Sequence, residues 1–323
     1  MRRAIVLGTG AYLPERIMRN TEFEALVETN HEWIIERTGI EQRHIAADSE
    51  VTSDLAVKAG QEALQRASIS PDTIDLVILA TTTPDDTMPS TATKVQHRLG
   101  ITRGAAFDIN AACSGFVYAM TIANNFIIAG QAKRVLVIGA ETYSRILDWT
   151  DRGTCILFGD GAAAIILEAQ DQPGTNADRG VLFSGIHSDG QYTQLLATHG
   201  GVSSTKTAGT MFMVGKEIFR HAVTKMPAAV EEGLTALDLP LSAIDWLVPH
   251  QANVRILNGV AQKLHLNEDK VICTVPLHAN TSAASIPLAL HVAASDGRIK
   301  PGNLIACPAL GAGLTWGCTI LRW

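Results

Sequence analysis

A chain of 323 residues that is 46% hydrophobic and only 18% charged can bury a core of ordinary size, which excludes an intrinsically disordered protein. A net charge of −6 and a pI near 5.9 exclude a general nucleic-acid binder, which would be basic, but leave room for a small basic patch facing a phosphate-bearing ligand. Five widely spaced cysteines, with no CxxC and no HExxH, argue against a disulfide framework or a structural zinc, and they fit a reducing compartment.

The chain opens Met1-Arg2-Arg3, but the apolar run Ala4–Leu7 is too short for a signal peptide. No apolar stretch reaches the ~18 residues of a membrane span, so a soluble cytoplasmic protein with no membrane partner is expected. Gly8-Thr9-Gly10 has Leu13 at the third glycine position of a dinucleotide fingerprint, and no helix clearly follows, so no dinucleotide site is expected there. Ser53–Ala67 has the pattern of a helix, and Leu76–Ala80 (LVILA) that of a buried strand. Ala106–Asn110 reads as a short strand and Ser114–Ala129 as an apolar helix, which puts Cys113 in the turn between them. A helix N-terminus carries partial positive charge, so a depressed thiol pKa is expected at Cys113. Its small neighbours Ala111, Ala112, Ser114 and Gly115 leave room for a substrate. This is the logic of a nucleophile elbow.

Val135–Gly139 and Ala163–Leu167 read as further buried strands, with Gly159-Asp160-Gly161 as a turn before the second. Gln170–Gly180 has turn composition and marks a join. Beyond it, Trp246–Val248 reads as a strand followed directly by Pro249-His250-Gln251-Ala252-Asn253 and a helix over Val254–Leu264. His250 therefore lies at a strand's C-terminal end, where α/β folds place their sites. Asn280 follows a strand-like Val271–Val275 and precedes an apolar helix. Leu304–Cys307 reads as the last buried strand of the pattern. Gly311–Gly317 reads as a third helix start that brings backbone N–H groups to a ligand oxygen, or else as a tight turn between two strands.

Alternating strands and helices predict an α/β protein, and the length suggests about two units of ~150 residues. The second unit echoes the first. Thr73–Val77 (TIDLV) matches Ala243–Leu247 (AIDWL), 170 residues later, and Asn110–Ser114 (NAACS) falls on Asn280–Ala284 (NTSAA). Val135–Gly139 falls on Ile305–Ala309 at the same offset. The reading is a duplicated unit, 1–171 and 172–323, whose halves bring equivalent loops to one central site. The second half has Ala283 where the first has Cys113, so one nucleophile is expected.

These motifs as a set resemble β-ketoacyl-acyl-carrier-protein synthase III: ACSGF at 112–116, PHQAN at 249–253 and NTSAAS at 280–285. That family's DEWI-x-x-RTGI is similar to His31–Ile40, and its RGT-x-x-x-FGDGA to Arg152–Ala162. The resemblance runs from about Gly8 to Trp323 without a large gap. It implies a five-layered thiolase fold (αβαβα), a homodimer, and a decarboxylative condensation of an acyl-CoA, with acetyl-CoA as the expected starter, onto malonyl-acyl carrier protein. Coenzyme A enters as a substrate thioester, with no metal or redox cofactor implied. The resemblance assigns Cys113 as the acylated nucleophile and His250 with Asn280 as hydrogen-bond donors to the malonyl thioester. It assigns the backbone N–H groups of Cys113 and Ala312 as the oxyanion site. Trp33 and Arg152 match positions that hold the adenine of coenzyme A. Arg37, Arg220, Asn253 and Arg255 match positions serving the pantetheine arm or an acidic carrier, with Arg220 and Arg255 on the carrier's side. Met88 matches the end wall of a partner subunit's acyl pocket.

The chain departs from the family at His278-Ala279, where glycine is common, at Leu310, where an aromatic is frequent, at Ala312, often glycine, and at Met88, often Phe. Rival readings are a relative in specialised metabolism with another starter, a non-catalytic carrier-binding scaffold, a cysteine hydrolase and a biosynthetic thiolase. The last needs a second cysteine within the C-terminal glycine turn, which Cys307 and Cys318 only flank.

Overall fold

Runs of Val, Ile, Leu and Ala without polar alternation form strands that are covered on both faces. The computed structural model describes residues 1–323. In chain order the first half holds β1 (Arg2–Tyr12), β2 (Arg16–Arg19), α1 (His31–Thr38), β3 (Gln42–Ile45) and α2 (Thr52–Ala67). It continues with β4 (Leu76–Ala80), α3 (Thr91–Arg98), β5 (Ala105–Ile109), α4 (Gly115–Ile128), β6 (Arg134–Glu141), α5 (Arg152–Cys155) and β7 (Gly161–Asp171). The second half opens with β8 (Gly180–Ser188), β9 (Leu196–Thr198), β10 (Met211–Met213), α6 (Gly215–Ala236) and β11 (Trp246–Leu247). It ends with α7 (Val254–Lys263), α8 (Val275–His278), α9 (Ser285–Ser295), β12 (Leu304–Gly311) and β13 (Thr315–Arg322).

One five-stranded sheet has the order β1-β7-β6-β4-β5, with β4 parallel to both β5 and β6. A second, four-stranded sheet has the order β11-β12-β13-β8, with β11 parallel to β12. The alternation of side chains along each strand assigns the layers. Leu76, Ile78 and Ala80 of β4 pack with Phe116 and Met120 of α4, Ile286 and Leu290 of α9, and Ile305, Cys307 and Ala309 of β12. The two apolar helices α4 and α9 are thus the filling between the sheets. The opposite face of β4, Val77 and Leu79, packs under α2 and α3. The opposite face of β12, Leu304, Ala306 and Leu310, packs with α6 and α7. The result is the expected five layers, αβαβα.

The echo at 170 residues is structural. The starts of equivalent elements pair as Leu76 with Trp246 (β4, β11), Gly115 with Ser285 (α4, α9) and Arg134 with Leu304 (β6, β12). The single-turn 3₁₀ segments before the central helices, Ala112–Ser114 and Ser282–Ala284, keep the same spacing.

Three local expectations are corrected. Val271–Val275 is not a strand: Val271 makes one isolated bridge to Leu247, and Val275 already opens α8, with Pro276 in its first turn. Gly311–Gly317 starts no helix; it spans the end of β12, the turn and the start of β13, which pair antiparallel from Leu304↔Arg322 to Gly311↔Thr315. Val248 falls just outside β11. Gly8 and Gly10 lie within β1, where a Cβ on Gly10 would come 2.2 Å from the Ala59 carbonyl oxygen of α2. Those glycines serve helix–strand packing.

Candidate active site

The turn between β5 and α4 is set by an Asx contact and one left-handed residue. Asn110 Oδ1 accepts the Ala112 N–H at 3.3 Å, and Ala112 has φ +47°. This throws Cys113 to the head of the apolar helix, where it is buried at 4% exposure. The turn before α9 repeats the device: Asn280 Oδ1 accepts the Ser282 N–H at 2.9 Å, and Ser282 has φ +50°. With its oxygen so engaged, the Asn280 amide has its NH2 group left to offer. The Asn280 backbone is tied to the Leu157 carbonyl and the Gly159 N–H, both at 3.0 Å.

His250 leaves β11 in a loop pinned by Gln251. The Gln251 amide donates to the Pro249 and Ile272 carbonyls at 2.8 and 3.0 Å and accepts the Thr274 N–H at 2.8 Å. The His250 Nδ1 lies 2.7 Å from the Ser285 hydroxyl.

Cys113, His250 and Asn280 all line one cavity of about 460 Å³. Its apolar wall comes from α6 (Ile218, Ala222, Met226) together with Met213 and Leu310. Arg37, Arg152, Lys216 and Arg255 also line it and are exposed, so its mouth is cationic. There Trp33 is flanked by two guanidinium groups, Arg152 at 4.6 Å and Arg37 at 5.1 Å from the ring centroid. The Asn30 side chain caps α1 by accepting the Trp33 N–H at 2.8 Å, which fixes the base of this platform. Asn253 lines the cavity and caps α7, accepting the Ile256 N–H at 2.9 Å.

Three expected site residues lie outside the cavity lining. Met88 is 84% exposed on the loop after β4. Arg220 stands on the solvent side of α6, bonded to Glu217 at 2.6 Å. Ala312 lies in the β12–β13 turn, and neither its N–H nor that of Cys113 donates a hydrogen bond within the chain.

The expectation of a depressed thiol pKa is overturned. Burial pushes the Cys113 thiol up to about 12, and the nearby Glu141 carboxylate adds to the rise. The helix start cannot offset so complete a desolvation. Burial likewise lowers the His250 imidazole to about 3, so the resting pair is a neutral thiol and a neutral ring.

Sequence reasoning passed over Glu141, Ser282 and Ser285. Glu141 is fully buried, and its Oε2 accepts hydrogen bonds from the Thr82 N–H at 3.0 Å and from the Thr82 and Thr83 hydroxyls at 2.9 Å. Its Oε1 and the Ser282 hydroxyl have no regular hydrogen bond; the hydroxyl faces both this carboxyl and the Cys113 thiol without ideal geometry to either. Burial raises the Glu141 pKa. The lone Glu at the end of the apolar run of β6 was the available signal, since a charge is seldom buried without purpose. Nothing in the local pattern of α6 marked it as a cavity wall.

Comparison with known proteins decides the family. Residues 107–190 match the model of 3-oxoacyl-[acyl-carrier-protein] synthase III, and residues 234–323 match the model of its C-terminal part. The β-ketoacyl-[acyl-carrier-protein] synthase III of Paramagnetospirillum magneticum is 58% identical over 99% of both chains. The chain belongs to the β-ketoacyl-[acyl-carrier-protein] synthase III family. It is therefore an acyltransferase of thiolase fold. The solved synthase III of Aquifex aeolicus VF5 superposes with a TM-score of 0.93 at 43% identity, covering 99% of this chain and 100% of that one. The priming β-ketosynthase of the R1128 polyketide pathway superposes at 0.92 with 32% identity, covering 99% and 97% of the two chains. The family's housekeeping members are thus nearer in sequence than this specialised one.

Proposed function

We propose that this chain starts fatty acid synthesis by transferring an acyl group, acetyl by preference, from coenzyme A to Cys113 and then onto malonyl-acyl carrier protein. The observation that carries the reading is the convergence of a buried thiol, an imidazole and a carboxamide from three separate loops on one apolar cavity with a cationic mouth. Cys113 Sγ attacks the acyl-CoA thioester, and its proton leaves with the coenzyme A thiolate as free thiol. The unpartnered N–H groups of Cys113 and Ala312 serve the tetrahedral oxyanion, and the α4 N-terminus favours the charge that develops at sulfur only during attack. Malonyl-carrier protein enters next. Loss of carbon dioxide leaves an enolate, whose oxygen accepts hydrogen bonds from His250 and Asn280. The enolate carbon attacks the acyl thioester, giving the 3-ketoacyl product and releasing Cys113.

Trp33, with Arg37 and Arg152 against its faces, is suited to an adenine, and Asn253 to the pantetheine arm. Arg255 and Arg220 present positive charge to an acidic carrier. The halves 1–171 and 172–323 would act as one rigid frame around the site. A homodimer is supported by β5, the edge of the first sheet, whose Phe107 and Ile109 are half-buried, and by the exposed Met88 nearby in the fold's loops. In that dimer Met88 would close the partner subunit's acyl pocket. No helix is long and apolar enough to cross a membrane, which agrees with a cytoplasmic enzyme.

The test is mass spectrometry after acetyl-CoA, followed by malonyl-carrier protein. An acetyl adduct on Cys113 and a 3-ketoacyl-carrier product are expected; an adduct on Cys155, Cys273, Cys307 or Cys318 instead would sink the assignment. Starter length is tested with acetyl-, butyryl- and octanoyl-CoA. Met is unbranched and flexible, so Met88→Phe should narrow the range towards acetyl and Met88→Thr should widen it. Identical profiles of kcat/KM in all three forms would remove Met88 from the pocket.

A further inference from the structure

The Ser285 hydroxyl opens α9 at 2% exposure and faces two groups of the histidine loop. The His250 Nδ1 lies at 2.7 Å and the Gln251 backbone N–H at 3.3 Å. A backbone N–H can only donate, so it takes an acceptor position on Oγ. The hydroxyl has one hydrogen to place, and no carbonyl, carboxylate or other acceptor except His250 Nδ1 is bonded to it. Two arrangements are then open. If Nδ1 carried the ring proton, two donors would converge on Oγ and the hydroxyl hydrogen would stay unpaired in a dry site, at a cost of ~1–3 kcal/mol. If the hydroxyl donates to a bare Nδ1, every donor and acceptor in the group is satisfied. The ring proton then sits on Nε2, the nitrogen not engaged by protein.

We propose that Ser285 is a positioning residue that holds the neutral His250 ring in the Nε2–H tautomer, so that the ring offers an N–H to the substrate oxygen in the cavity. The inference rests on the condensation reading above and deepens it. It makes His250 a donor in the resting enzyme and removes it as a base for the Cys113 thiol, because Nε2 is already protonated and Nδ1 is occupied. The rigidity of the loop matters here. Gln251 is fully satisfied and the His250 N–H donates to the Pro308 carbonyl at 2.9 Å, so the ring cannot simply turn over to compensate. Asn280 is held in the same manner by the Ser282 N–H. One stretch of chain, Asn280–Ser285, therefore aims both donors, one of its own and one from a loop 30 residues earlier in the sequence.

The experiment is nitrogen NMR of protein labelled at the histidine ring nitrogens, with the His250 signals identified by their loss in His250→Ala. The unaltered protein at neutral pH should show a bare Nδ1 and a protonated Nε2; a protonated Nδ1 overturns the proposal without any serine variant. In Ser285→Ala the two tautomers should mix. Malonyl-carrier decarboxylation should fall about 10- to 100-fold, somewhat less than for loss of a whole donor, while Cys113 acylation by acetyl-CoA stays within about threefold. Ser285→Thr, which keeps the hydroxyl, should recover most of the decarboxylation. A Ser285→Ala enzyme with both tautomer and decarboxylation unchanged overturns the positioning role. If His250→Ala itself left decarboxylation intact, the condensation reading of His250 would fail instead, so the two failures are separable.

Discussion

The turns Asn110–Ser114 and Asn280–Ala284 are the same piece of backbone used for different chemistry. Each begins with an asparagine whose oxygen accepts the N–H two residues on, each has a left-handed residue next (Ala112, Ser282), and each opens an apolar helix between the sheets. In the first turn the active group is the residue after the left-handed one, Cys113. In the second that place is Ala283, and the asparagine itself lines the cavity. The supports are exchanged as well. Gly311 of the second half abuts the first turn, where a Cβ would meet the Ala111 oxygen and the N atoms of Cys113 and Ser114, each at 2.8 Å. Gly139 of the first half abuts the second turn, where a Cβ would meet the Ala283 oxygen at 2.3 Å. Each half holds the other's reactive loop, so duplication supplies a rigid frame twice, and the side chains divide the labour.

The strongest way to break this comparison is at Cys113. Cys113→Ala should abolish the acyl-enzyme completely and leave slow malonyl decarboxylation, because the second turn is intact. Adding Ala283→Cys should not restore acylation. The Ala283 Cβ packs between the central helices, 3.3 Å from where a Gly115 Cβ would stand, and does not line the cavity. An acetylated Cys at 283 in the double variant, read by mass spectrometry, would show that the two turns are interchangeable.

The two asparagines sharpen it next. Asn280→Ala should cost condensation ~2.7–4 kcal/mol, as for loss of an oxyanion donor, with little change in acylation. Asn110→Ala removes an exposed Asx contact and should cost about 1 kcal/mol of stability or less, with catalysis preserved. Half-reaction kinetics and thermal melting separate the two; comparable catalytic losses would mean that both asparagines act only on the backbone.

The glycines give the smallest contrast. Gly311→Ala should slow acylation more than decarboxylation, and Gly139→Ala the reverse, each with ~1–3 kcal/mol of overpacking. Equal loss in both half-reactions from either variant would argue against separate supports.

The strands, the central helices and the echo at 170 residues were legible because continuous apolar runs and a repeat need no partner to be recognised. Cys113, His250 and Asn280 were legible because each lies where a strand gives way to a helix or loop, and because their motifs match a known family. The α6 cavity wall was not. Its apolar face reads as ordinary core, and only the packing of α6 over β12 leaves the gap. Val271–Val275 misled because β-branched residues favour strands, while α8 begins at Val275 and Pro276 suits a first helical turn.

The sequence alone therefore determined which segments form each layer and which residues carry the chemistry, since periodicity and residue type act locally. The tertiary structure decided the protonation states. A helix start argues for a thiolate at Cys113, but desolvation depends on every layer around it, and complete burial raises the thiol to about 12 and lowers His250 to about 3. It also decided which ring nitrogen of His250 faces the cavity, because that rests on a hydroxyl 35 residues away, brought to 2.7 Å only when the central helix docks.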